Sequence, residues 1–162
     1  MLVVLDRGAR LEFGFDDLMR YHGPGSPGGV AHAYKVLELA LPLLGDPPER
    51  REIDVATAFG GPGARDGFEL VTRAVTEGRY TVDAALARPE RGRTLERFVF
   101  CLAYRERAVT LVAREGTVPD ELIALARAEQ PTEAQRARLA EVKREMAERV
   151  IASAAADVYD EG

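Results

Sequence analysis

Apolar residues recur every three or four positions in two central stretches of the chain, which is the pattern of a helix with one buried face. These stretches run from about 27 to 44 and from about 64 to 77. Ser26 and Pro27 favour a helix that begins there, because serine is a common N-cap and proline suits the first helical position. A run of glycines at 60–63 precedes the second helix.

Other stretches alternate apolar with polar residues, as half-buried strands do. A strand or hairpin at the start of the chain is followed by a strand at 52–59. Short helices are predicted at 17–21, with Asp16 as the N-cap, and at 118–128. Three further segments, joined by polar turns, predict an antiparallel meander. Those segments are 79–86, 95–104 and 108–114.

The order of these elements is helix, strand, helix and then three strands. It lacks the regular alternation of a doubly wound sheet. The sequence therefore predicts an α+β fold with an α-β-α-β-β-β core, a mixed or antiparallel sheet and a long C-terminal helix. We expect a single domain over 1–162, with the core at about 15–115 and a C-terminal helical part at about 117–158.

The C-terminal helix is predicted from a capping box, in which Thr132 precedes Gln135 by three residues. Its pattern extends to about Asp157, a length of roughly 37 Å at about 1.5 Å per residue. A helix with one apolar stripe can pack along its own domain or against a partner, and the second alternative predicts a homodimer. The stripe consists of Leu139, Val142, Met146 and Val150.

Composition restricts the classes of partner. The net charge of −5 and the pI near 5.2 argue against nucleic-acid binding, which needs a basic face. No apolar run approaches the roughly 18–20 residues that cross a bilayer, and the start of the chain does not resemble a signal peptide. Cys101 is the only cysteine, which excludes an intrachain disulfide and a thiolate zinc site. We therefore expect a cytoplasmic protein without a membrane partner.

The first candidate site is the segment from His22 to Gly29. Gly28 and Gly29 in a first helical turn leave backbone N–H groups free for an anion. The alternative is that they allow close packing of a neighbouring strand. Ser26 suits an N-cap better than a nucleophile, since no base is evident beside it. His22 precedes the glycines and suits a general acid/base, whereas His32 lies among alanines and is interpreted as a packed residue.

The second candidate site follows the glycines at 60–63 and lacks both the dinucleotide fingerprint and the P-loop ending. Asp66 and Glu69 share a helix face, where they either assist catalysis or act as ordinary partners of the helix dipole. Arg65 is interpreted as a salt-bridged surface residue, and the alternative, kept as a candidate ligand-binding role, is that it holds the negative charge of a ligand. The Arg-rich connection at 88–93 is interpreted as a solvated loop.

Two segments resemble a known family, the FmdE-like proteins related to formylmethanofuran dehydrogenase. His22-Gly23-Pro24-Gly25-Ser26-Pro27-Gly28 resembles that family's His-Gly-His-x-Cys-Pro-Gly motif. Gly63-Ala64-Arg65-Asp66-Gly67-Phe68-Glu69-Leu70-Val71-Thr72 resembles its Cys-Gly-x-Asp-Ala-Ile-Gln-x-x-Thr segment. The similarity extends from about 15 to 157. It implies the same α-β-α-β-β-β core, which is shared with the C-terminal domain of glyceraldehyde-3-phosphate dehydrogenase.

The resemblance also implies a metal, commonly zinc, with thiolate ligands. Here serine and glycine stand at the two cysteine positions, Ser26 and Gly63, and Pro24 replaces the second motif histidine. Serine and glycine do not supply soft thiolate donors. We therefore expect the pocket to persist while the metal site is lost or rebuilt, and no cofactor is identified.

Two functional hypotheses follow. In the first, the protein is an enzyme that acts on a small anionic or carbonyl-bearing metabolite, with His22 as acid/base and Asp66 or Glu69 as its assistant. Arg65 and the amides of Gly28 and Gly29 would hold negative charge. In the second, it is a non-catalytic ligand-binding or assembly protein that dimerises through its C-terminal helix.

Overall fold

The computed structural model describes residues 1–162, which form seven strands and six α-helices. The strands are β1 (Leu2–Asp6), β2 (Ala9–Phe13), β3 (Ile53–Thr57), β4 (Tyr80–Val82), β5 (Val99–Tyr104), β6 (Arg107–Ala113) and β7 (Tyr159–Glu161). The helices are α1 (Phe15–His22), α2 (Pro27–Leu44), α3 (Pro62–Thr72), α4 (Asp120–Ala126), α5 (Glu133–Ala152) and α6 (Ala155–Val158). No helix combines the length and the apolar character needed to cross a membrane.

Five strands form a mixed sheet in the order β4-β3-β5-β6-β7. Only β3 and β4 are parallel, with Val55 beside Tyr80, and the remaining neighbours are antiparallel. The α+β prediction and the α-β-α-β-β-β order are confirmed. The antiparallel meander is wrong at its first strand, because only three residues of 79–86 are extended and they pair parallel to β3 at the edge of the sheet.

The helices α2 and α3 cover one face of this sheet. Alternate residues of β3, namely Ile53, Val55 and Thr57, are buried beneath them. Phe68 of α3 contacts the ring of Phe100 on β5 with a centroid distance of 5.7 Å. The buried alternate residues of the strands and the buried faces of the helices therefore pack together in one core. Members of this core are spread along the chain, from Leu2 near its start to Tyr159 near its end.

The N-terminal halves of α2 and α3 approach each other through glycines. A Cβ added to Gly63 would lie 2.4 Å from the carbonyl oxygen of Ser26, and one added to Gly29 would lie 3.0 Å from the amide nitrogen of Ala64. A Cβ on Gly67 would lie 2.9 Å from the Cβ of Ala33. The absence of side chains at these three positions lets the two helices touch by their main chains.

The apolar stripe of α5 packs against α2 within the same chain. Val142, Met146 and Val150 are each no more than 3% exposed. The capping box at Thr132 is confirmed, since its hydroxyl accepts from Gln135 N at 3.1 Å. The predicted end near Asp157 is wrong: α5 has 20 residues and stops at Ala152. The chain then turns through α6 into β7, which joins the sheet beside β6.

Two other predicted helix boundaries also differ. The N-cap of α1 is Gly14 rather than Asp16, and its amide donates to Asp17 Oδ2 at 2.8 Å. The helix α3 ends at Thr72 instead of about 77, because Arg73 adopts a left-handed conformation with φ of 59°. A single left-handed residue at this position ends a helix by turning the chain away from its axis.

Candidate functional site

The N-termini of α2 and α3 form the floor of a cleft of about 380 Å³. Ser26 and Gly29 line it from the first helix, and Gly61 and Gly63 line it from the turn into the second. This volume falls within the range of roughly 300–1,000 Å³ typical of small-molecule sites. The structure therefore brings together the two glycine-rich helix starts that the sequence singles out.

The first backbone N–H groups of both helices lack acceptors within the protein. Ser26 occupies the N-cap position of α2, but its side chain makes no capping hydrogen bond, and Gly61 at the N-cap of α3 has no side chain to do so. The amides of Gly29 and Gly63, two residues that line the cleft, make no backbone hydrogen bond either. Unpaired N–H groups at a helix N-terminus carry partial positive charge and attract anions.

The structure separates the roles of Gly28 and Gly29. Gly29 lines the cleft and also packs against α3. Gly28 is buried and faces α5, where an added Cβ would lie 2.3 Å from Met146 Cε and 3.4 Å from the carbonyl oxygen of Lys143. Close packing thus accounts for both glycines, and their neighbours are helices rather than the strand considered from the sequence.

Four cationic side chains line the cleft, and no carboxylate does. Arg93 and Arg97 precede β5, Arg127 follows α4, and Lys143 lies on α5. Of these four, only Arg127 has an acidic partner, Glu96, with an N–O distance of 3.6 Å. The whole chain carries a net charge of −5, so the lining of the cleft is positively charged although the molecule as a whole is negatively charged.

None of these four cations follows from the sequence pattern, which assigns Arg93 to a solvated loop. The excess of arginine at 88–97 is the only local signal. Whether such side chains face solvent or line a cleft depends on how α4 and α5 pack against the entrances of α2 and α3. That packing brings together residues that are far apart in the chain, and the spacing of residues along the sequence does not predict such contacts.

His22 and Asp66 are paired near the cleft, although neither lines it. His22 Nδ1 lies 2.8 Å from Asp66 Oδ2. The imidazole is 8% exposed, and its Nε2 atom is buried without a hydrogen-bond partner. Asp66 follows Gly63 by three residues, about 4.5 Å along the helix axis. Asp66 is therefore on the same helix as part of the cleft floor, but the His22–Asp66 pair itself does not contact the cleft.

The other two predicted site residues lie apart from the cleft. Arg65 Nη1 is 3.6 Å from Asp66 Oδ1, but the arginine side chain is 55% exposed and only flanks the pair. Glu69 is buried, and its Oε2 accepts from the amides of Val75 at 2.8 Å and Thr76 at 3.0 Å. These bonds secure the turn after α3, so the carboxylate is occupied structurally.

His32 is packed in the core, as the sequence suggests. It is fully buried, and its Nδ1 lies 2.7 Å from the hydroxyl oxygen of Tyr159. Burial, and to a smaller extent the charge of Arg149, lowers the pKa of His32 from 6.5 to about 3. A buried imidazole without a counter-charge is more stable in its neutral form.

The residues present do not fit the metal that the resembled family implies. The two positions where that family has cysteine, Ser26 and Gly63, are in contact here, with 3.1 Å between the Ser26 Cβ and a Cβ built on Gly63. A hydroxyl and a missing side chain do not replace two thiolates. No group of three or more His, Cys, Asp or Glu residues is arranged to hold a metal ion.

No protein-family model matches the chain, and no curated protein sequence matches it. The resemblance to the FmdE-like proteins stays a prediction that rests on the quoted motifs.

Proposed function

We propose that this protein binds a small anionic metabolite in the cleft between the N-termini of α2 and α3. The observation that carries the proposal is the charge of the lining, which holds four Lys or Arg side chains and no Asp or Glu in a chain of net charge −5. Arginine forms paired hydrogen bonds with carboxylate and phosphate groups. The free N–H groups on the floor add donors of fixed orientation.

The test compares two arginine variants that change the net charge equally. Arg97→Gln removes a cation from the cleft, whereas Arg107→Gln removes an exposed cation of β6 outside it. We expect inorganic phosphate, titrated at low salt by calorimetry, to bind the Arg97 variant about tenfold more weakly, a loss of about 1.4 kcal/mol. An equal loss in the Arg107 variant would mean that the anion binds the general surface and would overturn the proposal.

A second candidate function is catalysis on an anionic or carbonyl-bearing metabolite held in this cleft. Its support is the His22–Asp66 pair, in which a carboxylate orients an imidazole whose other nitrogen is buried without a hydrogen-bond partner. His22 would transfer the proton and Asp66 would orient it, while Glu69 has no part because its oxygens are already bonded.

His22→Ala tests this second candidate. For any ligand that the wild-type protein converts, as followed by NMR, the variant should keep its affinity and fold but lose turnover. Undiminished turnover would remove His22 from the mechanism.

We also propose a cytoplasmic location. The only cysteine, Cys101, is free, as is usual for proteins of a reducing compartment.

The assembly alternative is a homodimer formed through α5. The apolar stripe of this helix is already buried against α2, so such a dimer would have to use the charged face of α5. Sedimentation equilibrium distinguishes a monomer from a homodimer. A monomer at micromolar concentration would remove the alternative without affecting the proposed ligand binding.

A further inference from the structure

The cleft lining also has an apolar part that an anion alone does not explain. Besides the cations, which we call the polar wall, the lining includes Phe59, Leu122, Ile123 and Met146, which we call the apolar wall. Phe59 and Ile123 are only half-buried, so part of their apolar surface faces the cleft. An inorganic ion bound by the arginines would leave this surface in contact with water. Covering apolar surface is favourable in proportion to its area.

The aromatic part of this wall is held in a fixed orientation. Phe59 stacks on Phe98 with a centroid distance of 4.4 Å and an interplanar angle of 26°. Phe98 is 2% exposed and therefore anchors the stack in the core. Gly61 leaves space for the Phe59 ring, since a Cβ at this position would lie 2.5 Å from two ring carbons. A ring fixed in this way offers a flat surface that loses little freedom when a ligand covers it.

The charges indicate which anion suits the polar wall. Arg93, Arg97 and Lys143 have no carboxylate partner, so the lining carries three uncompensated positive charges. A phosphate monoester carries a charge of about −1.5 to −2 at neutral pH, whereas a carboxylate carries only one negative charge. The doubly charged group neutralises more of the wall.

We propose that the natural ligand is a phosphate monoester with a flat, apolar organic body, bound with its phosphate at the cations and its body against Phe59 and Ile123. This inference rests on the anion binding proposed above and adds the class of ligand to it. The cleft volume of about 380 Å³ accommodates a molecule of that size. Neither wall alone would select such a ligand.

Phenyl phosphate and inorganic phosphate are the probes, and benzyl alcohol serves as the uncharged control. Calorimetry with the full chain at low salt should show phenyl phosphate binding about 10- to 100-fold more tightly than inorganic phosphate. Benzyl alcohol should bind more weakly than phenyl phosphate by at least the same factor. Equal binding of the two phosphates would overturn the inference and leave anion binding intact. Failure of both phosphates to bind would instead overturn the proposed function itself.

Two isoleucine variants locate the apolar contact. Ile123 and Ile151 are both half-buried and packed against the core, but only Ile123 lines the cleft. Ile123→Ala should weaken phenyl phosphate binding about three- to tenfold and leave inorganic phosphate unchanged. Ile151→Ala should leave both unchanged. If the two variants weaken phenyl phosphate binding equally, or if neither does, the body of the ligand does not lie on this wall and the inference fails.

Discussion

His22 and Asp66 are joined by a hydrogen bond of 2.8 Å, although 44 residues separate them in the chain. A carboxylate only accepts, so His22 donates through Nδ1–H to Asp66 Oδ2. This bond fixes the tautomer of the neutral ring and leaves Nε2 as the nitrogen with a lone pair. An oriented lone pair is one requirement for a general base, and access to the substrate is the other; here Nε2 is buried.

The tautomer is the first prediction. Long-range proton–nitrogen NMR spectra of the neutral protein should show the proton of His22 on Nδ1, whereas free histidine favours Nε2 protonation. Asp66→Ala removes the acceptor, and we expect the ring to return to the Nε2–H form. A neutral wild-type ring whose single proton lies on Nε2 would contradict the hydrogen bond, because Nδ1 would have no proton to donate.

Gly63→Ala should destabilise the protein by about 1–3 kcal/mol, because its Cβ would lie 2.4 Å from the carbonyl oxygen of Ser26 and the helices would have to separate. Urea unfolding should show a lower midpoint with an unchanged slope. Gly25→Ala is the matched control, since nothing lies within 4 Å of its added Cβ. An equally stable Gly63 variant would show that α2 and α3 do not touch as described.

Glu69→Gln should also lower the free energy of unfolding, by about 1–3 kcal/mol, because a neutral amide cannot accept from both the Val75 and Thr76 amides as strongly as a carboxylate does. Urea unfolding measures this change, and Glu148→Gln, an exposed glutamate of α5, is the control. Phosphate affinity should stay the same. An unchanged free energy of unfolding together with a changed phosphate affinity would indicate that Glu69 belongs to the functional site.

Acid should destabilise the fold through His32. Its pKa is about 3 in the folded protein and about 6.5 when unfolded, so the unfolded chain binds the additional proton. The free energy of unfolding should be unaffected by this group above about pH 6.5 and should fall by about 1.4 kcal/mol per unit below it, until about pH 3.

His32→Gln tests this dependence, because glutamine can still hydrogen-bond the Tyr159 hydroxyl but does not titrate. Between pH 7 and pH 5 the wild-type protein should lose about 2 kcal/mol more than the variant. Should the variant fail to fold, NMR of the wild-type imidazole must still show a neutral ring at pH 5. Identical slopes, or a charged ring, would contradict the buried environment.

Local signals predict the helices well. The Ser26-Pro27 start of α2 and the capping box at Thr132 are encoded within a few residues, and both helices begin where these signals stand. The end of α5 cannot be predicted from neighbouring residues. The apolar pattern continues past Ala152, but the chain turns there and brings Tyr159 into the core. Burial of that ring overrides the helical pattern.

Long-range pairing explains the remaining differences. Nothing near Tyr80 indicates that it pairs with Val55 in a parallel register, because that partner lies 25 residues earlier. The same holds for the cleft, where Arg93 and Lys143 come from segments 50 residues apart. The sequence locates the floor of the site through its glycines, but its walls depend on tertiary packing.

The floor of the cleft consists mainly of main chain, since glycines occupy positions 29, 61 and 63. Peptide groups keep the same hydrogen-bond donors whatever side chains surround them, so amino-acid substitutions change the hydrogen-bonding groups of this floor very little. Among descendants of such a protein, a change of ligand would therefore arise by exchange of the cations and of the apolar residues on α4 and α5. Any larger residue at 63 would have to be accompanied by a change near Ser26, and the two positions should covary.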